Sequence, residues 1–223
     1  MQRKWSLLVI SFSLLLLLTL FFLLSSWLPS SQIFGKVIYK ESATTSTIYL
    51  TFDDGPGPAT IEVLSILKEH NVKATFFMTG SQAELYPETV HAVLADGHAI
   101  GTHTYEHSFL LARNTDDIIK GKIVLENITN SSIHLFRPPY GFRSPTAMKK
   151  AKEQYLSVIT WSVFPRDYRR DSEATVHHVC KKLHPGAIIV LHDGPVLRNE
   201  TVKSIEPIIA CAKEQGYVFA VLG

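Results

Sequence analysis

Cysteine is almost absent: Cys180 and Cys211 are the two in 223 residues. That excludes a disulfide-dense scaffold and any zinc module built on cysteine clusters. Net charge is equally sparse. The formal balance is +2, and once Arg3 and Lys4 are taken from the 22 Lys and Arg, 20 remain against 20 Asp and Glu. A chain so nearly neutral carries no basic footprint for nucleic acid, which is not expected as a partner. There is no internal repeat, and no low-complexity tract beyond one leucine-rich run near the start. What is present is 46% hydrophobic and 19% charged, the balance of a folded domain and not of a disordered chain.

Charge is also missing from Trp5 to Leu28, 24 residues dominated by leucine and phenylalanine. About 20 residues suffice for a helix to cross a ~30 Å hydrocarbon layer. Arg3 and Lys4 before the run belong on the cytoplasmic side. Residues 1–28 are therefore read as a single-pass membrane anchor, with everything after Leu28 outside the cytoplasm. The alternative is a signal peptide, which would release a secreted protein if residues 1–30 were removed. Its apolar region normally runs ~7–15 residues and ends in an A-x-A-like pattern, and Ser25-Ser26-Trp27-Leu28-Pro29-Ser30 makes only a weak site. Residues 29–47 are polar and read as a tether, with Val37-Ile38-Tyr39 as a short strand laid on the domain. Outside the cytoplasm the two cysteines can meet, but each falls in an expected helix. They are read as small core residues in preference to a bridge.

From Ile48 onward short apolar runs alternate with helical patterns. The strands expected are Ile48–Phe52, Ala74–Met78, Ala99–His103, Ile133–Phe136, Leu156–Ser162, Ala187–Leu191 and Val218–Val221. The helices between them are Ala59–His70, Pro87–Asp96, Thr115–Thr129, Ser144–Gln154, Ser172–Leu183 and Val202–Gln215. Several strands are apolar throughout, as when both faces of a parallel sheet are covered. Residues 48–223 are thus one α/β domain of about seven parallel strands, open or closed into a barrel. Such folds gather their chemistry at the carboxyl ends of the strands. Here five strands run into Asp53-Asp54-Gly55-Pro56, His103-Thr104-Tyr105-Glu106-His107, Arg137-Pro138-Pro139-Tyr140-Gly141, Asp167 and His192-Asp193.

Adjacent carboxylates repel, so Asp53-Asp54 at a strand end calls for a cation or for unlike protonation states. His103 and His107, four apart, can share one divalent ion. With Asp54 they make a two-nitrogen, one-carboxylate site that leaves positions open, the layout of a catalytic metal. The other histidines are read as ordinary core or surface residues. His192 at the same rim can give a proton to a leaving group, with a nearby carboxylate to orient it. Asp53 is then the base, Arg137 can pair with Asp53 or Asp167, and Tyr140 offers an aromatic wall to a sugar ring.

The ordered set resembles the polysaccharide deacetylase family, the NodB-homology domain of carbohydrate esterase family 4, from about Ile48 to the C-terminus. T-F-D-D-G-P stands as Thr51 to Pro56, H-[ST]-x-x-H as His103 to His107, R-x-P-Y as Arg137 to Tyr140, and L-H-D as Leu191-His192-Asp193. The resemblance implies a distorted, incomplete (β/α) barrel with Asp53 as catalytic base and His192 as general acid. Asp54, His103 and His107 become metal ligands. Arg137, Pro139, Tyr140, Asp167 and Leu191 line or support the groove. The cofactor implied is a divalent metal, zinc first, with cobalt, manganese or nickel as alternatives. The reaction is hydrolysis of an N-acetyl amide in a cell-envelope polysaccharide, releasing acetate. Peptidoglycan N-acetylglucosamine comes first, chitin-type oligomers second and O-acetylated xylan third.

One motif departs: the family's D-x-x-D-W is Phe164-Pro165-Arg166-Asp167-Tyr168 here. Phe164 cannot pair with Arg137, so that contact is expected to be lost or made by Asp167. Two rival readings stand beside this one. His103 to His107 also spells H-x-x-E-H, which in a zinc metalloprotease needs a helix and a glutamate base at Glu106. The other rival is a non-catalytic glycan-binding domain, with Phe164 as the first sign of a decayed site.

Overall fold

A computed structural model describes residues 2–42, 46–108, 115–196 and 198–223. Seven strands appear, β1 (Thr47–Asp53), β2 (Thr75–Met78), β3 (Ala99–Thr102), β4 (Leu135–Phe136), β5 (Ser157–Val158), β6 (Ile188–His192) and β7 (Val218–Ala220). Every ladder is parallel, in the order β5-β4-β3-β2-β1-β6, with β7 beside the start of β1. The helices are α1 (Gln2–Trp27), α2 (Pro58–Glu69), α3 (Gly80–Leu85), α4 (Pro87–Ala95), α5 (Asp116–Thr129), α6 (Pro145–Glu153), α7 (Ser172–Lys182) and α8 (Asn199–Glu214). Only α3 was not expected; at six residues it is too short to show an apolar period. β5 is shorter than expected because the chain leaves β4 after Ile159. Thr160 N–H then bonds Ile38 O at 2.9 Å, and Val163 bridges to Ile189 on β6. The sheet thereby curls into an incomplete barrel whose gap is narrowed by residues 38–40 and 159–163.

Period-two alternation divides each strand between two cores. Ile48, Leu50 and Phe52 of β1, Phe76 and Met78 of β2 and Ile189 and Leu191 of β6 join the layer under the helices. Phe77, Leu135, Ile159, Ile188 and Leu222 fill the barrel interior, with Tyr49 and Trp161 packed on them. The interior positions therefore lead upward to Asp53 through Tyr49 and Thr51, to His103 through Gly101, to Arg137 through Leu135, and to His192 through Ile188 and Val190.

The expected tether is seated on the domain over much of its length. Val37 is buried, Ile38 N–H bonds Val158 O and Glu41 N–H bonds Gly186 O; Thr44 and Thr45 lie outside the described residues. The end of α1 is held as well. Arg143, 1% exposed, donates to the carbonyls of Ser25, Leu28 and Gly141, and its own N–H bonds Ser26 O at 3.1 Å. α1 is the one helix among the described residues long and apolar enough to cross a membrane.

The cysteine expectation is overturned. Cys180 on α7 and Cys211 on α8 form a disulfide, with Cα atoms 6.2 Å apart and 31 residues of separation, a Cα spacing within the normal 4.4–6.8 Å. The two helices pack side by side, which their sequences alone do not reveal. Closing a loop of that length is worth roughly 2–4 kcal/mol. Replacing both cysteines with alanine should lower the melting temperature by roughly 5–15 °C, and a reductant should lower the wild type equally. Calorimetry or circular dichroism would show either.

Candidate active site

Asp53 closes β1 on the interior side, and Arg137 rises beside it at the end of β4. Arg137 is fully buried; its Nη1 donates to Asp53 Oδ1 at 2.6 Å and Thr51 Oγ1 at 2.7 Å, and its Nη2 to Thr160 O at 3.1 Å. The Phe77 ring lies 4.1 Å beneath the guanidinium. A cation without solvent needs such a set of partners. With Oδ1 taken by Arg137, Asp53 Oδ2 is the oxygen on the side of His103, 4.0 Å from its Nε2.

The carbonyl of the same arginine orients the next group. His103 Nδ1 lies 2.6 Å from Arg137 O. A carbonyl only accepts, so Nδ1 carries the hydrogen and Nε2 presents its lone pair. That lone pair is 3.5 Å from Asp54 Oδ1, and His107 Nε2 is 3.2 Å from the same oxygen. Burial, then the charge of His107, push His103 down to about 3 against the pull of Asp54, so its imidazole is neutral. One ligand atom from each of Asp54, His103 and His107 lies within 4.8 Å of the others. Asp54 Oδ1 is buried without a hydrogen-bond partner. An orphaned carboxylate oxygen between two imidazole nitrogens fits a divalent cation.

The rim is held in costly conformations. Five of the eight described non-glycine residues with positive φ surround it: Asp54 (74°), Thr104 (70°), His107 (56°), Tyr140 (59°) and Arg166 (59°). Gly194 shows how closely the loops after β1 and β6 approach. A Cβ there would stand 2.3 Å from the backbone of Asp54.

His192 ends β6. Its Nδ1 pairs with Asp167 Oδ1 at 2.8 Å, and its N–H donates to Asp167 Oδ2 at 2.9 Å. Thr201 Oγ1, in the first turn of α8, donates to Oδ2 at 2.7 Å. Burial opposes the charged imidazole, but the hydrogen bond and charge of Asp167, with Asp54 and Asp53 behind them, push His192 up to about 9. Asp167 itself is held below the usual carboxylate range: burial acts upward, and the His192 and Thr201 hydrogen bonds outweigh it. Asp53, Asp54, His103, His107 and His192 open into one cavity of about 710 Å³. Its walls include Tyr140, Trp161, Phe164, Tyr168 and Val190, with Arg166, Arg169 and Arg198 at hand.

A sequence model described as polysaccharide deacetylase matches residues 40–159. The chain belongs to the polysaccharide deacetylase family. It is 38% identical to a peptidoglycan-N-acetylglucosamine deacetylase of Bacillus cereus, over 83% of this chain and 90% of that protein. It is 32% identical to a chitooligosaccharide deacetylase of Sinorhizobium fredii, over 82% of this chain and 93% of that protein. A crystal structure of a peptidoglycan N-acetylglucosamine deacetylase, in complex with 4-naphthalen-1-yl-N-oxidanyl-benzamide, superposes with a TM-score of 0.79 at 32% identity. It covers 82% of this chain and 89% of that one.

Within this family member, several expected placements change. Leu191, expected on the groove, is fully buried under the helices; alternation along β6 sends Val190 and His192 inward instead. Arg137 and Pro139 are buried behind the cavity surface, while Tyr140 is half exposed. Of the two outcomes expected for the fourth motif, loss is the one found: Asp167 serves His192, and Arg137 pairs with Asp53. Phe164 packs on Trp161, 5.0 Å between centroids, and becomes groove wall. H-x-x-E-H does not form a helix; it is the loop after β3, and the Glu106 N–H bonds Asp117. Trp161 and Arg198 escaped the sequence reading because no motif holds them; aromatic and basic residues just past strand ends were the available signal.

The raised pKa of His192 sets a sign. The Asp167 pair stabilises the fold fully below ~6.5, the unfolded imidazole value, and the contribution disappears as pH rises through about 9. NMR titration should find the His192 ring still protonated at pH 8. In Asp167→Asn the hydrogen bond and charge of Asp167 are gone and only Asp54 and Asp53 still oppose burial, so the midpoint should fall well below about 9. An unchanged midpoint would remove Asp167 as its cause.

Proposed function

We propose that the chain hydrolyses the N-acetyl amide of N-acetylglucosamine units in a cell-envelope polysaccharide, with peptidoglycan ahead of chitin-type oligomers. The observation that carries this reading is the pairing of a metal-ligand triad, Asp54, His103 and His107, with two separately supported proton-handling groups, Asp53 and His192. A divalent ion in such a triad, zinc in our reading, supplies Lewis-acid polarisation of a carbonyl oxygen and a lowered pKa for water.

The chain's own residues do the rest. Arg137 holds Asp53 by Oδ1 and leaves Oδ2 on the side of His103, where it would take the proton of the attacking water. His192, kept cationic by Asp167, protonates the departing amine. Tyr140, Trp161, Phe164 and Tyr168 present apolar faces to sugar rings and exclude water from the rim. Intact ligand, base and acid positions weigh against the non-catalytic reading.

We further take residues 1–28 as a retained anchor, with the remainder extracytoplasmic. Cleavage before residue 30 would remove Ser25 and Leu28, two of the three carbonyls to which the Arg143 guanidinium donates, and this seat supports retention.

The full-length chain, loaded with zinc in detergent, should release acetate from peptidoglycan and N-acetylglucosamine oligomers. A chelator should stop it. Asp53→Asn should reduce kcat by roughly 10²–10⁴-fold while zinc binding persists. Absence of acetate from every N-acetylated glycan, with metal bound, would overturn the reading.

A further inference from the structure

The end of α1 reaches into the catalytic cavity. Trp27 and Pro29 line the same space as Asp53, His107 and His192. Trp27 meets Phe142 edge to face, 5.4 Å between centroids, and remains 43% exposed. The backbone on both sides of it is clamped by the barrel. Arg143 takes the carbonyls of Ser25, Ser26 and Leu28, and Thr160 Oγ1 donates to Pro29 O at 2.8 Å. Interfacial affinity alone accounts for a tryptophan at the end of a membrane helix. It accounts neither for the clamping on both sides nor for a place in the lining of the catalytic cavity.

We propose that this end of α1 is a glycan subsite, with Trp27 a positioning residue that packs on a pyranose ring adjacent to the reacting N-acetyl sugar. The proposal rests on the deacetylase reading. A pyranose presents one face of C–H groups and a girdle of hydroxyls, and a broad, rigid indole matches the apolar face at little entropic cost. Tyr140, 4.7 Å from the His107 ring and half exposed, stands in the same cavity beside the metal ligands. A glycan chain lying across the site thus meets Tyr140 at the reacting unit and Trp27 beyond it. The anchor and the groove are then one structure.

The test uses the full-length chain in detergent, zinc-loaded, with a soluble N-acetylglucosamine pentamer, so that membrane affinity plays no part. Trp27→Ala should raise KM about tenfold, the scale of one lost aromatic packing contact, with kcat within twofold and melting temperature little changed. Trp27→Phe should recover most of the affinity, and Trp27→Leu, which fills space without a flat face, should not. Calorimetric binding of the pentamer to Asp53→Asn, with and without Trp27→Ala, should show the same tenfold loss independently of turnover. Unchanged KM and binding in Trp27→Ala would overturn the subsite while leaving the reaction intact. A fall in kcat and melting temperature without a change in KM would also overturn it, marking Trp27 as structural. Pentamer binding that weakens in Trp27→Ala with no acetate released by the wild type would uphold the subsite and remove the reaction.

Discussion

The rim of this barrel depends on one buried cation. Arg137 holds Asp53 through its guanidinium and His103 through its carbonyl, so a single residue fixes both the candidate base and a candidate metal ligand. Its other contacts, Thr51, the Thr160 carbonyl and the Phe77 face, come from β1, the crossing segment after β5 and β2. Burying a charge so completely costs more than an exposed ion pair returns. The gain is orientation: neither Asp53 nor His103 can turn without breaking the set. Lysine could not substitute, since the three side-chain contacts require a planar fork.

Around that cation the backbone accepts further cost. Positive φ at Asp54, Thr104, His107 and Tyr140 is paid for by the packed strands beneath, where interior and helix-facing cores are filled. Asp193 belongs to the same account. It is fully buried, raised to about 7 first by burial, with Thr60 donating to Oδ2 and Oδ1 left unpartnered. It lies under Gly55, whose missing side chain makes room for the carboxyl. Functional rims commonly concentrate such strain where the scaffold is rigid enough to hold it.

Much of this was legible in the sequence, because the succession of strands along the chain and their alternation are local properties. The runs ending at Asp53, His103, Arg137 and His192 signalled both the strands and the rim, and the spacing of His103 and His107 signalled that their rings meet beside Asp54. Leu191 was misplaced because membership of a motif was followed where the period-two rule already pointed it away from the cavity. The Asp167–His192 pair and the Cys180–Cys211 bridge depend on how distant segments meet, and neither spacing nor composition encodes that. The seat of Val37-Ile38-Tyr39 was expected from its apolar patch, whereas the crossing of residues 159–163 depends on barrel curvature, a property of the whole sheet.

The clamp of Arg143 on the last turn of α1 has a mechanical meaning. A domain tethered by a flexible linker sweeps a volume set by the length of that linker. Here no slack separates the final helical turn from the groove, so a bilayer holding α1 would hold the cavity mouth at a set height and tilt. Access would then be a matter of altitude: strands passing close to the surface come within reach, and identical sugars a few molecular diameters farther out do not.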